Sequence, residues 1–463
     1  MIVMKFGGTS VQDAVAIRNV AQLVAKEKSR PPLVVASACA GVTNALIAIA
    51  KKSATGQVDE ALVSLKSLRE RHNNIAKELF GQSANKETMS LVQEKFTKDF
   101  VDLERLAQSL SVLGELTLRA QDQLTAYGEL WSSLLLSHEL QQRGVDACWF
   151  DARKVLLTNN DFTHAAPSFE ITEAKAKELV LPILQRGAVI VTQGFIGATK
   201  EGITTTIGRG GSDYSAAIFG SVLNAEEIQI WTDVDGVLSA DPSIIPEARS
   251  IEHMTFDEAA ELAYFGAKVL HPSTILPAIE KNIPVKVLNS KRPAGEGTLI
   301  TRESRNGSQR VVKSIAYKEH ITTISVQSTR MLMAHGFLAR LFEVFATHKK
   351  SIDVIATSEV GVSLTIDDDR NLEAITAEIS QFAEIKVEHN RAVICIVGEK
   401  IKFTRGIAAR VFASLDRAGV NVELISQGGS EINLTFVIEE SQIAAAVRCL
   451  HDEFFSEGEK TRA

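Results

Sequence analysis

Four cysteines, at 39, 148, 395 and 449, are too few and too scattered for a zinc pattern or a disulfide framework in a chain this long. No stretch approaches about 18 consecutive apolar residues, so no membrane-spanning helix is expected. The N-terminus, MIVMKFGG, lacks the apolar run of a signal peptide. Positive charge is not in excess: 57 acidic against 50 basic residues leave a net charge of −7, which argues against nucleic-acid binding through a basic surface. Proline and tryptophan vanish partway along. All ten prolines lie between Pro31 and Pro293, and all three tryptophans precede Asp233. That shift predicts a domain boundary near 295. What remains is ordinary globular material, 45% hydrophobic and 23% charged, which excludes a disordered chain. At 463 residues, about three domains and a cytoplasmic location are expected.

Before residue 295, apolar runs alternate with helical patterns. Strands are expected at 2–6, 33–38, 188–193, 228–231 and 285–288, with a helix over 11–27 and a group of helices over 59–142. Strands apolar on both faces and separated by helices predict a mostly parallel sheet in an α/β sandwich. The polar stretch 296–313 reads as a connector with one short strand.

The last 150 residues contain a repeat. Gly336-Phe337-Leu338 and Gly406-Ile407-Ala408 each begin a helix. Ile352-Asp353-Val354 corresponds to Val422-Glu423-Leu424, and the strand beginning at Val362 to that beginning at Ile432. Each offset is 70 residues. The element order in each copy predicts two ferredoxin-like βαββαβ units. Such units serve either as dimerisation modules or as ligand sensors, and spacing alone does not separate the two.

Three segments carry chemistry. In Lys5-Phe6-Gly7-Gly8-Thr9-Ser10 a strand delivers a lysine into a glycine pair, with a helix expected directly after Ser10. Glycine backbone and a helix start suit phosphate oxygens, and lysine offsets phosphoryl charge. No Walker A pattern is present, and a tight turn with a surface lysine is the plainer alternative. The segment from Thr204 to Asp213 holds three glycines and Arg209, which suits a carboxylate, and Asp213 is expected to cap a helix beginning at Tyr214. The third segment, WTDVDGV at 231–237, follows an apolar strand, where α/β sheets bind ligands. Phe265-Gly266-Ala267-Lys268 places a lysine at an expected helix end, which the helix dipole alone would favour. HELQQ at 138–142 lacks the second histidine of a zinc protease and is set aside.

In order and spacing, KFGGTSV, ASACAGVTN at 36–44, YGELWSS at 127–133, TIGRGGSDYSAA at 206–217, WTDVDGV and FGAKVLHP at 265–272 resemble the aspartate kinases of the amino-acid kinase superfamily. The resemblance spans the whole chain, and the repeat resembles that family's two ACT modules. MLMAHGFL at 331–338 with Thr357-Ser358-Glu359 resembles the monofunctional lysine-sensitive class. With the chain ending at 463, no fused homoserine dehydrogenase is expected.

The resemblance implies a three-layer α/β sandwich with a parallel-rich sheet at 1–295, the connector at 296–313, and ACT domains at 314–389 and 390–456. It implies phosphorylation of the aspartate side chain by ATP with Mg²⁺, the first step toward lysine, threonine and methionine. Lys5 and Asp213 resemble the catalytic pair. Lys5, Gly7, Gly8, Ser10, Thr232, Asp233, Leu238, Lys268 and Val269 resemble the nucleotide site. Ser37, Thr43, Glu129, Arg209, Gly210, Gly211 and Ser212 resemble the aspartate site. Met331, Gly336, Phe337, Leu338, Ser351, Ile352, Asp353, Thr357, Ser358 and Glu359 resemble a lysine effector site. No protein side chain is assigned to a metal. A homodimer or higher homo-oligomer is implied, with no membrane or nucleic-acid partner. Three positions depart from the family pattern: Leu238 where many relatives have tyrosine, Ser243 where many have arginine, and Ala334 where some have serine. Two other readings remain open: a sensor with a kinase fold but no turnover, and a kinase of the superfamily acting on another acceptor.

Overall fold

The computed structural model describes residues 1–27, 30–81, 86–266, 272–304, 311–328, 335–427 and 429–456. These fold into two units. The first comprises 1–237, 252–256 and 270–303; the second comprises 238–251, 257–269 and 304–463. Two stretches inside the expected catalytic domain, 238–251 and 257–269, thus belong to the second unit.

The first unit is built on an eight-stranded sheet. Its strands are β1 (Ile2–Phe6), β2 (Pro32–Ala36), β3 (Ala147–Trp149), β4 (Val189–Gln193), β7 (Glu227–Thr232), β8 (His253–Thr255), β9 (Val285–Asn289) and β10 (Thr298–Thr301). A small hairpin, β5 (Ile196–Ala198) with β6 (Thr204–Thr206), lies apart from it. The order across the sheet is β3-β4-β2-β1-β7-β9-β10-β8, and every neighbouring pair is parallel except β9 and β10. Every residue of β1, β2 and β4 is buried, as parallel strands covered on both faces require. The helix Ala14–Lys26 buries Ala14, Ile17, Val20, Ala21 and Val24, one face at helical spacing. The expected helical group resolves into Val58–Phe80, Lys86–Leu113, Leu118–Thr125 and Tyr127–Gln142.

Two helix starts differ from expectation. After β1 the chain makes a 3₁₀ turn at Gly8–Val11, and the α-helix begins only at Ala14, with the Asp13 carboxylate accepting from the Ala16 N–H at 2.9 Å. The Asp13 cap takes up one of the free N–H groups at that helix end. The other helix runs Gly211–Val222 with Gly210 at its N-cap, so Asp213 stands in the first turn and is not the cap.

The second unit contains β11 (Val312–Gln327), β12 (Ile355–Thr357), β13 (Gly361–Ile366), β14 (Glu384–Gly398), β15 (Leu424–Ser426) and β16 (Asn433–Glu439) in one antiparallel sheet, ordered β12-β13-β11-β14-β16-β15. The two repeats interleave. Val312 and Ile315 from the first half of β11 pack with the second copy, around Phe436 and Leu450. Ile324 and Val326 from its second half pack with the first copy, around Leu341 and Leu364. β14 divides in the reverse sense. The β11–β14 register shifts at 318–323, beside His320 and Asn390, both in left-handed backbone. The second copy therefore completes its sheet with β11, because no strand follows its last helix, Ile443–Phe455, among the described residues.

Candidate active site

The chain leaves β1 through Gly7 and Gly8. The Gly7 N–H donates to the Trp231 carbonyl and the Ala40 N–H to the Gly8 carbonyl, both at 3.0 Å. A Cβ on Gly8 would lie 2.8 Å from the Ala38 carbonyl oxygen, so only glycine lets these loops meet. Lys5, on β1 between Val35 and Ile230, is buried, with its Nζ 2.6 Å from Asp213 Oδ1. That oxygen receives no well-angled hydrogen bond, so the contact is chiefly an ion pair.

These groups open onto a cavity of about 470 Å³. Two helices point their N-termini into it, Val42–Ala54 and Gly211–Val222. Each begins after a left-handed glycine, Gly41 and Gly210, and neither has a side-chain cap. Their free N–H groups and dipoles make the cavity attractive to anions. Arg209 adds a guanidinium, exposed and free of hydrogen bonds or ion pairs among the described residues.

Glu129 faces these positive groups. Its helix, Tyr127–Gln142, approaches closely because residue 128 is glycine, where a Cβ would fall 2.7 Å from the Ala38 Cβ. Glu129 is 3% exposed, and its Oε2 has no hydrogen-bond partner. Burial pushes its pKa up to about 8, partly offset by backbone hydrogen bonds at Ala38 and at Glu129 itself. In its ionised form Glu129 can pair with a cationic group in the cavity. Cys39 also lines the wall, but burial pushes its thiol up to about 12 and its Sγ donates to the Val11 carbonyl, so it stays protonated.

The cavity brings together Lys5, Gly8, Ser37, Thr43, Glu129, Arg209, Gly210, Gly211, Ser212 and Asp213. Gly7, Ser10, Thr232 and Asp233 lie outside its wall, at the carboxyl ends of β1 and β7. There the Ser10 hydroxyl meets that of Ser290 at 2.7 Å, and Ser290 donates to the Thr232 carbonyl at 3.0 Å. Leu238 belongs to the second unit, where its carbonyl accepts from the Ser314 hydroxyl. In the same unit, Ser243 bonds Asp241 through both its N–H and its hydroxyl. Lys268 and Val269 lie outside the described residues.

Asn44, Phe195 and Gly208 line the cavity without having been assigned a role from the sequence, though Asn44 and Gly208 lie within its quoted motifs. Asn44 directly follows Thr43, so its signal was present. Phe195 adopts φ +66°, which nothing local announces.

In the second unit, Gly336 caps the helix Phe337–Thr347 from left-handed backbone without a side-chain bond. Phe337 and Ile352 pack against the first copy's core, whereas Leu338, Ser351, Thr357, Ser358 and Glu359 are exposed. Asp353 does not present an open carboxylate. Its side chain is 3% exposed, accepting from the Tyr264 hydroxyl at 2.7 Å and from Lys318 Nζ at 3.1 Å. Met331 and Ala334 lie outside the described residues.

An uncapped pair of helix ends, a buried lysine–aspartate pair and a glycine-rich arginine loop thus meet at the carboxyl edge of a parallel sheet, a setting suited to anionic ligands. The model of the amino acid kinase family matches residues 1–289, and an ACT domain model matches 394–454. Aspartokinase 2, chloroplastic, of Arabidopsis thaliana is 39% identical over 98% of this chain and 84% of its own length. Aspartokinase III of E. coli in complex with aspartate and ADP (R-state) superposes with TM-score 0.84 at 36% identity, over 98% of this chain and 100% of that one. Its complex with lysine and aspartate (T-state) gives 0.79 at 37%, over 98% and 99%. The chain belongs to the aspartokinases within the amino acid kinase family, and it is a phosphotransferase of the aspartate kinase class.

Proposed function

We propose that this cavity holds L-aspartate and that the chain transfers the γ-phosphoryl group of ATP to its side-chain carboxylate, giving ADP and 4-phospho-L-aspartate. The observation that carries the reading is the unpartnered Oε2 of Glu129, buried in the same cavity as Lys5 and Arg209. Glu129 takes the α-ammonium and Arg209 the α-carboxylate, which leaves the side-chain carboxylate for the Lys5 end. A carboxylate oxygen attacks the γ-phosphorus as the bond to the β–γ bridging oxygen breaks, and ADP leaves with that electron pair. The nucleophile is already ionised at neutral pH, so no general base is required. Catalysis is positioning and charge neutralisation. Lys5, held by Asp213, sits beside the moving phosphoryl group, and the two helix N-termini add fixed positive ends. Magnesium enters as part of the substrate, carried on phosphate oxygens.

The reading extends to regulation. L-lysine, an end product of the pathway this reaction would open, inhibits by binding the first ACT copy around Gly336, Asp353 and Glu359. The E. coli relative's complex with lysine supports this. The second copy, where Gln427 replaces Thr357, serves the contact between subunits of a homodimer. An ADP-release assay with aspartate, glutamate, N-acetylglutamate, carbamate and UMP as acceptors tests the activity. Turnover with aspartate alone is expected; turnover with another acceptor, or with none, would sink it.

A further inference from the structure

Outside the cavity wall, one carboxylate organises the loop that carries Arg209. Asp122, on the helix Leu118–Thr125, is completely buried. Its Oδ1 accepts from the Thr206 hydroxyl at 2.7 Å. Its Oδ2 accepts from two backbone N–H groups, those of Thr206 at 2.9 Å and Thr163 at 3.0 Å. Burial raises the pKa of this carboxyl, and the three donors offset only part of that.

The two partners belong to different segments that meet under Arg209. Thr206 ends β6, and its carbonyl accepts from the Ala165 N–H at 3.0 Å. Thr163 holds φ +71°, an uncommon conformation for a β-branched residue and a strained one. Asp122 thus fastens a strained turn to the end of a short strand. Gly208, two residues beyond Thr206, packs over that turn: a Cβ there would lie 3.3 Å from both the Thr163 carbonyl oxygen and the His164 ring. Arg209 follows immediately, and the Gly211 N–H closes back onto the Gly208 carbonyl at 3.0 Å. Arg209 has no side-chain partner of its own among the described residues, so its location depends on where this loop begins.

We propose that Asp122 is a positioning residue for Arg209, fixing the acceptor end of the active site without touching substrate. The inference rests on the reading of Arg209 as the clamp for the α-carboxylate of aspartate. Asparagine can fill the same three positions, with its carbonyl oxygen accepting both N–H groups and its amide donating to the Thr206 hydroxyl oxygen. Alanine can fill none.

Steady-state kinetics on Asp122→Ala, Asp122→Asn, Thr206→Val, Arg209→Ala and the double variant Asp122→Ala/Arg209→Ala test it. Asp122→Ala should raise KM for aspartate about tenfold and leave KM for ATP within about twofold. Asp122→Asn should restore near-normal values. Thr206→Val keeps the β-branched shape, removes one bond, and should raise KM for aspartate about threefold. It carries the test if the alanine variant does not fold. The double variant should be no worse than Arg209→Ala alone, since a residue acting through another adds nothing once that one is gone. Equal rises in both KM values, an asparagine variant as impaired as alanine, a silent Thr206→Val, or additive losses would overturn the proposal. A raised aspartate KM in Arg209→Ala with a normal one in Asp122→Ala would overturn it alone. A normal aspartate KM in Arg209→Ala would overturn the reading of Arg209, and this inference with it.

Discussion

The hydroxyl of Tyr264 donates to the carboxylate of Asp353 at 2.7 Å, across 89 residues of sequence. Lys318 Nζ reaches the other carboxylate oxygen at 3.1 Å and also lies 2.7 Å from Asp367. The acid expected to receive an effector ammonium is therefore already neutralised from within the chain. Lys318 has a second acid to fall back on, so giving up Asp353 does not strand its charge.

An effector ammonium competes with Lys318 for Asp353. Lys318→Met should lower the lysine concentration for half-inhibition roughly tenfold to a hundredfold, the worth of one hydrogen bond to a charged group at about 1.5–3 kcal/mol. Asp353→Ala should relieve inhibition with little change in uninhibited turnover. Inhibition curves for the two variants moving in the same direction would remove Asp353 from the effector site.

Lys5→Ala should lower kcat by about 10²–10³ while the protein stays folded, because the lost charge acts on the transition state. It also leaves Asp213 without its partner, so KM for ATP should rise as well. Near-normal turnover in a folded variant would falsify the role given to Lys5.

Arg209→Ala should raise KM for aspartate much more than that for ATP. Arg209 is exposed, so its loss strands no buried charge, and the cost should be that of hydrogen bonds to a charged group, about 1.5–3 kcal/mol. An equal rise in both KM values would indicate damage to the whole loop.

Glu129 gives a pH prediction. Its folded pKa, about 8, lies above the 4.5 of an ordinary glutamate, so the folded protein holds this proton more tightly than the unfolded chain. The resulting stability is present below pH 4.5 and is lost as pH rises toward about 8. Glu129→Gln removes this dependence and should raise the melting temperature of the ligand-free protein at pH 8, by about 1–2 °C per kcal/mol recovered. The same variant should raise KM for aspartate, since a neutral amide is a poor partner for an ammonium. In the unaltered protein, aspartate binding near pH 7 should release a proton, which calorimetry in buffers of different ionisation enthalpy measures. Binding without proton release would remove Glu129 from the ammonium site.

Much of the site was legible because its chemistry is local in sequence. Lysine before a glycine pair and arginine within a glycine run are legible patterns, and both segments lie at the ends of strands whose apolar runs reveal them. The 70-residue repeat was legible for the same reason. Helix starts were less so. Asp213 has the composition of a cap, but the left-handed glycine at 210 starts the helix three residues earlier and turns the aspartate toward Lys5. Asp13, unremarked in the sequence, caps the first helix instead.

By itself the sequence determined the two kinds of architecture, the parallel-sheet unit and the repeated ferredoxin-like unit, and the residue types that meet phosphate and carboxylate. These follow from periodicity and from short segments that fold on themselves. The tertiary structure alone decided which distant groups share a space. It gave β11 and β14 to both repeats at once, brought Tyr264 and Lys318 onto Asp353, and placed Asp122 under the arginine loop. The physical reason is that a buried carboxylate takes whatever donors the packed chain brings to it, and local sequence carries no record of residues 35 to 89 positions away.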